Sequence, residues 1–414
     1  MNFNSLNSKK YIEREIEKEI FKFLRDRQII VIRGPRQAGK STLMKKIADY
    51  LTKKDEKVVY IDLEDETELL KLESNPKEYL QFYLRDQSHL FLFLDEIQYV
   101  KNAGKILKFF YDNFDKIKFL VSGSSTLDIN ALGQSLVGRA IFFELYPFSF
   151  SEFLKAKNNR LYLEYCEKRF SFNFRQKTDS LFKDRLNQYL GEYLTFGGYP
   201  QIVLEDNQEK KLILLKNLIT TYIEKDLLKL YGIKYKDKVL ILIKYLAYNI
   251  GNLLNYNDLC QVSNLSFQEV KEIISIFEQT YILKRLYPFS KNLITELKKN
   301  PKVYFFDLGL RNGILERFNF GPDEEGKIWE NYGFLLLKEK KLNFWRTTAK
   351  AEVDFVLANE VIPVEIKKQA KITRSLLSFI KTYHPPFALI ANESLSSLQK
   401  RNNTKIFFTP IALM

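Results

Sequence analysis

The stretch Gly34-Pro35-Arg36-Gln37-Ala38-Gly39-Lys40-Ser41 matches G-x-x-x-x-G-K-[ST] at every fixed position, and it constrains the chain more than any other feature. Before it runs Gln28-Ile29-Ile30-Val31-Ile32-Arg33, apolar and β-branched as a buried parallel strand requires. After it, Thr42-Leu43-Met44-Lys45-Lys46-Ile47-Ala48 reads as helix. Strand, loop and helix in that order predict a phosphate-binding loop. The glycines let the backbone curl until its N–H groups point inward, and the helix N-terminus adds the positive end of its dipole. Gly34, Pro35, Arg36, Gln37, Ala38, Gly39, Lys40, Ser41 and Thr42 are therefore the expected nucleotide-binding set. Lys40 is placed to bridge the β- and γ-phosphates, and the Ser41 hydroxyl to ligate magnesium.

A second strand is expected at Lys57–Leu63, and a third at His89-Leu90-Phe91-Leu92-Phe93-Leu94 ending in Asp95-Glu96. A strand buried on both faces reads as a continuous apolar run, and ligands of open α/β sheets bind at the carboxyl ends of the strands. Asp95 and Glu96 thus arrive where the loop delivers Lys40. Asp95 is expected to hold magnesium with Ser41, and Glu96 to orient or deprotonate the attacking water. A fourth strand, Lys116–Val121, ends in Ser122-Gly123-Ser124-Ser125. Ser124, or else Ser122, is the candidate that senses the γ-phosphate; a simple turn accounts for four small residues nearly as well. Gly138-Arg139 opens a strand over Ala140–Leu145, and Arg139 is a candidate arginine finger acting in cis or on a neighbouring subunit of a homo-oligomer.

Lysine and arginine total 65 against 51 aspartates and glutamates, so the 414-residue chain is basic and attractive to polyanions. Nucleic acid is one candidate partner on that ground; an AT-rich coding sequence explains the lysines equally well. Two cysteines and two histidines far apart support neither a disulfide framework nor a zinc site. No apolar run reaches the ~18 residues of a membrane span, and the polar N-terminus lacks a signal-peptide core, so a cytoplasmic location without membrane is expected.

Beyond the loop, the stretches Leu94-Asp95-Glu96-Ile97-Gln98, Val121-Ser122-Gly123-Ser124-Ser125, Gly138-Arg139, Pro147-Phe148-Ser149-Phe150-Ser151-Glu152-Phe153 and Gly197-Gly198-Tyr199-Pro200 follow one another in a specific order. In these blocks the chain resembles the bacterial and archaeal AAA-type ATP-binding proteins that join an ATPase domain to a C-terminal domain of restriction-endonuclease-like pattern. The resemblance implies an AAA-like sheet, ATP as the nucleotide, and Mg²⁺.

Four parts are expected in this α/β chain: a phosphate-loop AAA-like parallel-sheet core over 1–153, a helical lid over 154–235, a winged-helix-like module over 236–295, and an α/β restriction-endonuclease-like domain over 296–414. An N-terminal helix over Tyr11–Arg27 leads into the first strand. In the lid, Glu224, Lys225 and Asp226 read as a solvated face. In the module, helices at Val239–Ala247, from Asn257, and from a Ser266/Glu269 capping box precede a β-wing at Tyr281–Phe289. Its third helix carries Gln268, Glu269, Lys271 and Glu272, so DNA reading stands beside protein docking or a purely structural role.

Near the C-terminus, Ile328–Leu337 reads as helix, and Leu342–Thr347, Ala351–Leu357 and Val361–Lys367 as strands. Glu365 and Lys367 project from one strand face, Asp354 comes from the neighbouring strand, and Glu330 from the helix. This looks like the PD-(D/E)xK restriction-endonuclease fold, with Val353 where the motif's proline stands. The likeness implies that Glu330, Asp354 and Glu365 hold a metal, while Lys367 stabilises charge or helps activate water. Two functions follow. In one, an Mg-dependent ATPase controls a domain that binds or cleaves DNA or RNA. In the other, a nucleotide-gated switch carries an inactive C-terminal domain that docks a protein partner.

Overall fold

The computed structural model describes residues 11–84, 89–123, 135–171, 180–223, 227, 235–289, 299–401 and 403–414. Two compact units result: residues 1–148 with 279–281, and residues 149–278 with 282–414. Ser124 and the group Glu224, Lys225 and Asp226 lie outside the described residues.

The first unit is built on the continuous apolar runs. Strands β1 (Ile29–Arg33), β2 (Val58–Asp62), β3 (Leu90–Asp95), β4 (Ile117–Gly123) and β5 (Ala140–Glu144) form one sheet in the order β2-β3-β4-β1-β5. Every pairing is parallel. Alternation along β1 explains why all its apolar residues are needed: Ile29 and Val31 join a core with Leu107 and Phe110, whereas Ile30 and Ile32 meet Leu43, Met44 and Ile47. The helices Lys40–Thr52 and Ala103–Asn113 supply those opposing partners.

The expected helix over Tyr11–Arg27 forms only at Glu17–Lys22. Upstream, the Glu17 carboxylate accepts from the Arg14 N–H and the Tyr11 hydroxyl, both at 2.5 Å. That local turn replaces the helix and directs Arg14 into the interior, where it is 5% exposed.

In the second unit, helices span Phe150–Lys157, Asn159–Lys168, Ser180–Phe196 and Gln208–Thr221. Ser149 and Glu152 form a reciprocal capping box at the first of these. Three further helices, Lys236–Tyr248, Tyr256–Ser263 and Phe267–Gln279, precede β6 (Leu283–Leu286). The Ser266/Glu269 capping box is closed in both directions, at 3.3 and 2.8 Å. β6 pairs antiparallel with β7 (Lys302–Phe305), so the boundary expected between 295 and 296 falls between two hydrogen-bonded strands. A boundary there would leave the edge of β6 unpaired.

The last part is a six-stranded mixed sheet of β8 (Leu342–Arg346), β9 (Glu352–Leu357), β10 (Ile362–Ile366), β11 (Phe387–Asn392), β12 (Ser397–Arg401) and β13 (Thr404–Pro410), ordered β12-β13-β11-β10-β9-β8. β8, β9 and β10 run antiparallel, and β10 continues parallel to β11 across the helix Arg374–Tyr383.

Gly197-Gly198-Tyr199-Pro200 is explained by a buried aspartate directly after β7. Asp307 accepts from the backbone N–H groups of Gly198 and Leu310, each at 2.7 Å. Gly197 has φ +76°, and a Cβ there would fall 2.2 Å from the Asp307 carboxylate. Burial raises the Asp307 carboxyl to about 6, against the pull of its backbone donors. The folded chain therefore keeps this proton to about pH 6, whereas the unfolded chain releases it near its ordinary value. Stability from this group is full below pH ~4 and is lost by pH ~6, on the order of 3 kcal/mol. In urea titrations across that range, Asp307→Asn is expected to flatten the decline whatever its absolute stability; an unchanged slope would remove Asp307 as the cause.

Candidate nucleotide site and the C-terminal acidic group

The phosphate loop leaves β1 at Arg33 and enters its helix at Lys40. Gly34 has φ +155°, and a Cβ on it would lie 2.0 Å from the Leu145 carbonyl oxygen, so only glycine passes there. Gly39, at φ 99°, caps the helix, and Ser41 and Thr42 stand in its first turn. Lys40 is 4% exposed, and its Nζ donates to the carbonyls of Gly34 at 3.0 Å and Pro35 at 2.8 Å. The ammonium thus lies across its own loop. Arg36 donates to the Tyr99 hydroxyl at 3.4 Å, and Gln37 takes a left-handed φ of 59°.

Arg14 holds this loop from behind, a role the sequence reading misses. Its guanidinium donates to the Ala38 carbonyl at 2.9 Å and the Tyr146 carbonyl at 2.7 Å, and lies 4.8 Å from the centre of the Phe148 ring. An arginine inside a segment that reads as an amphipathic helix gives no sequence signal of this.

Parallel register brings the acidic pair to the same end of the sheet. Leu94 is level with Val121, and Val121 with Val31, so Asp95 stands beside Ser122 and close to the start of the loop. Asp95 is 2% exposed. It accepts from the Tyr60 hydroxyl at 2.5 Å, the Ser122 hydroxyl and, at 3.2 Å, the Glu96 N–H. Burial, with Asp95 beside it, pushes the Tyr60 phenol well above its usual range, so it stays a donor. Glu96 adopts a left-handed φ of 58° at the strand end, and the Gln98 amide donates to its carboxylate. Of the two serines considered, Ser122 is the one seen at the acidic pair; Ser124 is not described.

Arg139 requires a correction. It precedes β5, and its carbonyl accepts from the Ile29 N–H, so it stands at the amino ends of strands whose carboxyl ends carry Lys40 and Asp95. Five residues of strand, roughly 17 Å, separate the two ends. Its guanidinium is paired with Asp112 at 2.9 Å. A cis arginine finger to this chain's own loop is thereby excluded.

In the second unit, Asp354 lies on β9, Glu365 on β10, Lys367 just after β10, and Glu330 on the helix Pro322–Leu337. The Lys367 Nζ donates to Asp354 at 2.9 and 3.2 Å, and the Ile366 N–H donates to the same carboxylate at 2.8 Å. Glu365 is fully buried; its Oε1 accepts from the Thr373 hydroxyl at 2.6 Å, and burial pushes its carboxyl up to about 7. Glu330 lies near enough to Asp354 and Lys367 to interact with both electrostatically. It accepts from Lys302 at 2.9 Å and from the Tyr304 hydroxyl at 2.6 Å. Among the described residues, no group of three or more His, Cys, Asp or Glu side chains is arranged to hold a metal ion. The expected metal set of Glu330, Asp354 and Glu365 does not form such a group: lysines hold Glu330 and Asp354, and the Thr373 hydroxyl holds one oxygen of Glu365. Lys302, Tyr304 and Glu352 were missed in the sequence, although Lys302 and Tyr304 at spacing two on a strand share one face.

Residues 26–154 match the AAA domain. That match agrees with the parallel sheet and the phosphate loop, and makes this part of the chain similar to AAA domains. Residues 187–320 and 325–413 match two domains of unknown function. The chain is similar to an uncharacterized protein of Methanocaldococcus jannaschii, 28% identical over 361 residues that cover 85% of this chain and 76% of the relative. A second similar protein, uncharacterized and from Haemophilus influenzae, is 26% identical over 377 residues, 87% of each chain. Among solved structures, the replication initiator DnaA bound to AMPPCP and single-stranded DNA is similar over 65% of this chain and 90% of its own, with 16% identity and a TM-score of 0.30. C. elegans PCH-2 has 16% identity and a TM-score of 0.30, over 61% and 63% of the two chains. Likeness at that level carries no argument about function. No helix among the described residues is long and apolar enough to cross a membrane.

Proposed function

We propose that the chain binds ATP with magnesium, hydrolyses it to ADP and phosphate, and uses the cycle as a switch for a partner docked on its second unit. The observation that carries this reading is the meeting of Lys40, Asp95 and Glu96 at the carboxyl end of one parallel sheet. Gly34 to Thr42 cradle the phosphates, and Lys40 leaves the carbonyls of Gly34 and Pro35 to reach the β- and γ-phosphates. Ser41 and Asp95 would hold Mg²⁺, which neutralises phosphate charge when bound; two protein ligands suit an ion that keeps water and phosphate oxygens. Glu96 orients the water, while Ser122 and Tyr60 fix Asp95. Arg139 is left with a role towards a neighbouring copy.

Within the second unit, the helices after Ser149, the three-helix and β-wing part, and the C-terminal sheet are proposed as lid, winged-helix module and docking domain. A protein partner is favoured over nucleic acid by one observation. The third helix of the winged part, Phe267–Gln279, carries Glu269, Glu272 and Glu278 against Lys271 alone, a poor face for phosphates. The order of helix, three antiparallel strands, helix and parallel strand supports a nuclease-like fold, without carrying cleavage with it.

Binding is tested by titrating a fluorescent ATP analogue. Lys40→Ala is expected to weaken affinity by about a hundredfold, the loss of one charge-assisted phosphate contact. Unchanged affinity would sink the reading.

A further inference from the structure

Lys302 is unusual for its place. It begins β7, is 2% exposed, and is paired with Glu330 at 2.9 Å and Glu352 at 2.6 Å. A buried ammonium is costly unless paired, and here two carboxylates pair it. Tyr304, two residues on and on the same strand face, donates to the same Glu330 oxygen as Lys302. Around them, Arg346 pairs with Glu352 at 2.8 Å and Lys367 with Asp354 at 2.9 Å. Three cations thus stand among four carboxylates: Lys302, Arg346 and Lys367 hold Glu330, Glu352 and Asp354, while Glu365, beside Asp354 and Lys367, keeps one buried oxygen without a hydrogen-bond partner.

We propose that the Lys302 ammonium is the resident cation of the C-terminal acidic group, standing where a divalent metal would have to sit for Glu330 to ligate it. The group is then a structural lock across β7, β9 and the helix Pro322–Leu337, closed to metal-dependent cleavage of phosphodiesters. Adding a divalent ion beside three cations would leave a buried excess of positive charge, which desolvation penalises. Metal ligation needs deprotonated carboxylates, and at Glu330 and Asp354 an ion would have to displace an ammonium already in place. This inference does not rest on the ATPase reading.

The test is Mn²⁺ binding to the full chain by calorimetry with no nucleotide present, so that a phosphate-bound ion does not enter the count. Wild type and Asp354→Asn are expected to bind equally, with no site assignable to the C-terminal group. Lys302→Met removes the ammonium between Glu330 and Glu352, leaving them to Tyr304 and Arg346, and is expected to gain a site that Lys302→Met/Glu330→Gln loses. A wild-type site missing from Asp354→Asn, or Mn²⁺-dependent DNA or RNA cleavage lost in that variant, would overturn the proposal. So would a folded Lys302→Met protein that gains no Mn²⁺. If Lys302→Met does not fold, the comparison of wild type with Asp354→Asn decides alone.

Discussion

Glu96→Gln is expected to lower ATP turnover by about 10²- to 10⁴-fold, the range for loss of a general base, and to leave nucleotide affinity nearly unchanged. The amide keeps the length and shape of the carboxylate, so it remains at the end of β3 beside Gln98. What it loses is the ability to take a proton from water. Asp95 makes a different contribution, since its oxygens are engaged by Tyr60 and Ser122 and it is fixed in place. Single-turnover phosphate release separates the two roles: Glu96→Gln binds and stalls, whereas Lys40→Ala fails before that step. Turnover in Glu96→Gln within about tenfold of wild type would remove Glu96 from the chemistry, because even a modest general base contributes more than that.

Gly309→Ala unfolds or severely weakens the second unit, by more than about 4 kcal/mol, a size reached only when something rigid must move. The added Cβ would lie 2.0 Å from the Phe196 carbonyl oxygen, 2.3 Å from its carbon and 2.7 Å from the Gly197 nitrogen. All three are backbone atoms, so no side chain can swing aside. The same contact secures the start of the helix Leu308–Leu315, whose N-cap is Asp307. Gly326, in the helix Pro322–Leu337, is the control because nothing lies within 4 Å of its added Cβ. Gly326→Ala should gain roughly 0.5–1 kcal/mol from helix propensity. Urea midpoints of the two variants, moving in opposite directions, check the contrast; a Gly309→Ala midpoint near wild type would contradict it.

The sequence was most readable where one residue's neighbours in the chain also determine its surroundings. All five strands of the first sheet were expected close to their observed bounds, most plainly β3, where burial on both faces demands an unbroken apolar run, Phe91-Leu92-Phe93-Leu94. The strands carrying Asp354 and Glu365 were also expected close to their observed bounds. What stayed hidden depends on residues distant in the chain. Asp95 meets Tyr60 across a strand pairing, Arg14 reaches Ala38 across the start of β1, and Lys302 meets Glu330 and Glu352 from a different strand. The acidic motif was visible as a spacing, but the lysine that neutralises it lies 28 residues before Glu330. Arg139 was expected to open its strand and does; the parallel register of β5 with β1 puts that opening at the amino end, away from the loop.

β7 and the residues just after it have a consequence for how this region tolerates change in length. One face of the strand sends Lys302 and Tyr304 to Glu330, while Asn331 satisfies the Phe305 backbone with bonds of 2.7 and 2.9 Å. Two residues later, Asp307 is tied to Gly198. Side chains alternate along a strand, so a one-residue slip would turn Lys302 and Tyr304 to the wrong face and draw Asp307 from its turn. The register is pinned from both ends, like a string stopped at two frets. Between 302 and 307, insertion or deletion of a single residue would undo the ion pairs at one end or the glycine turn at the other.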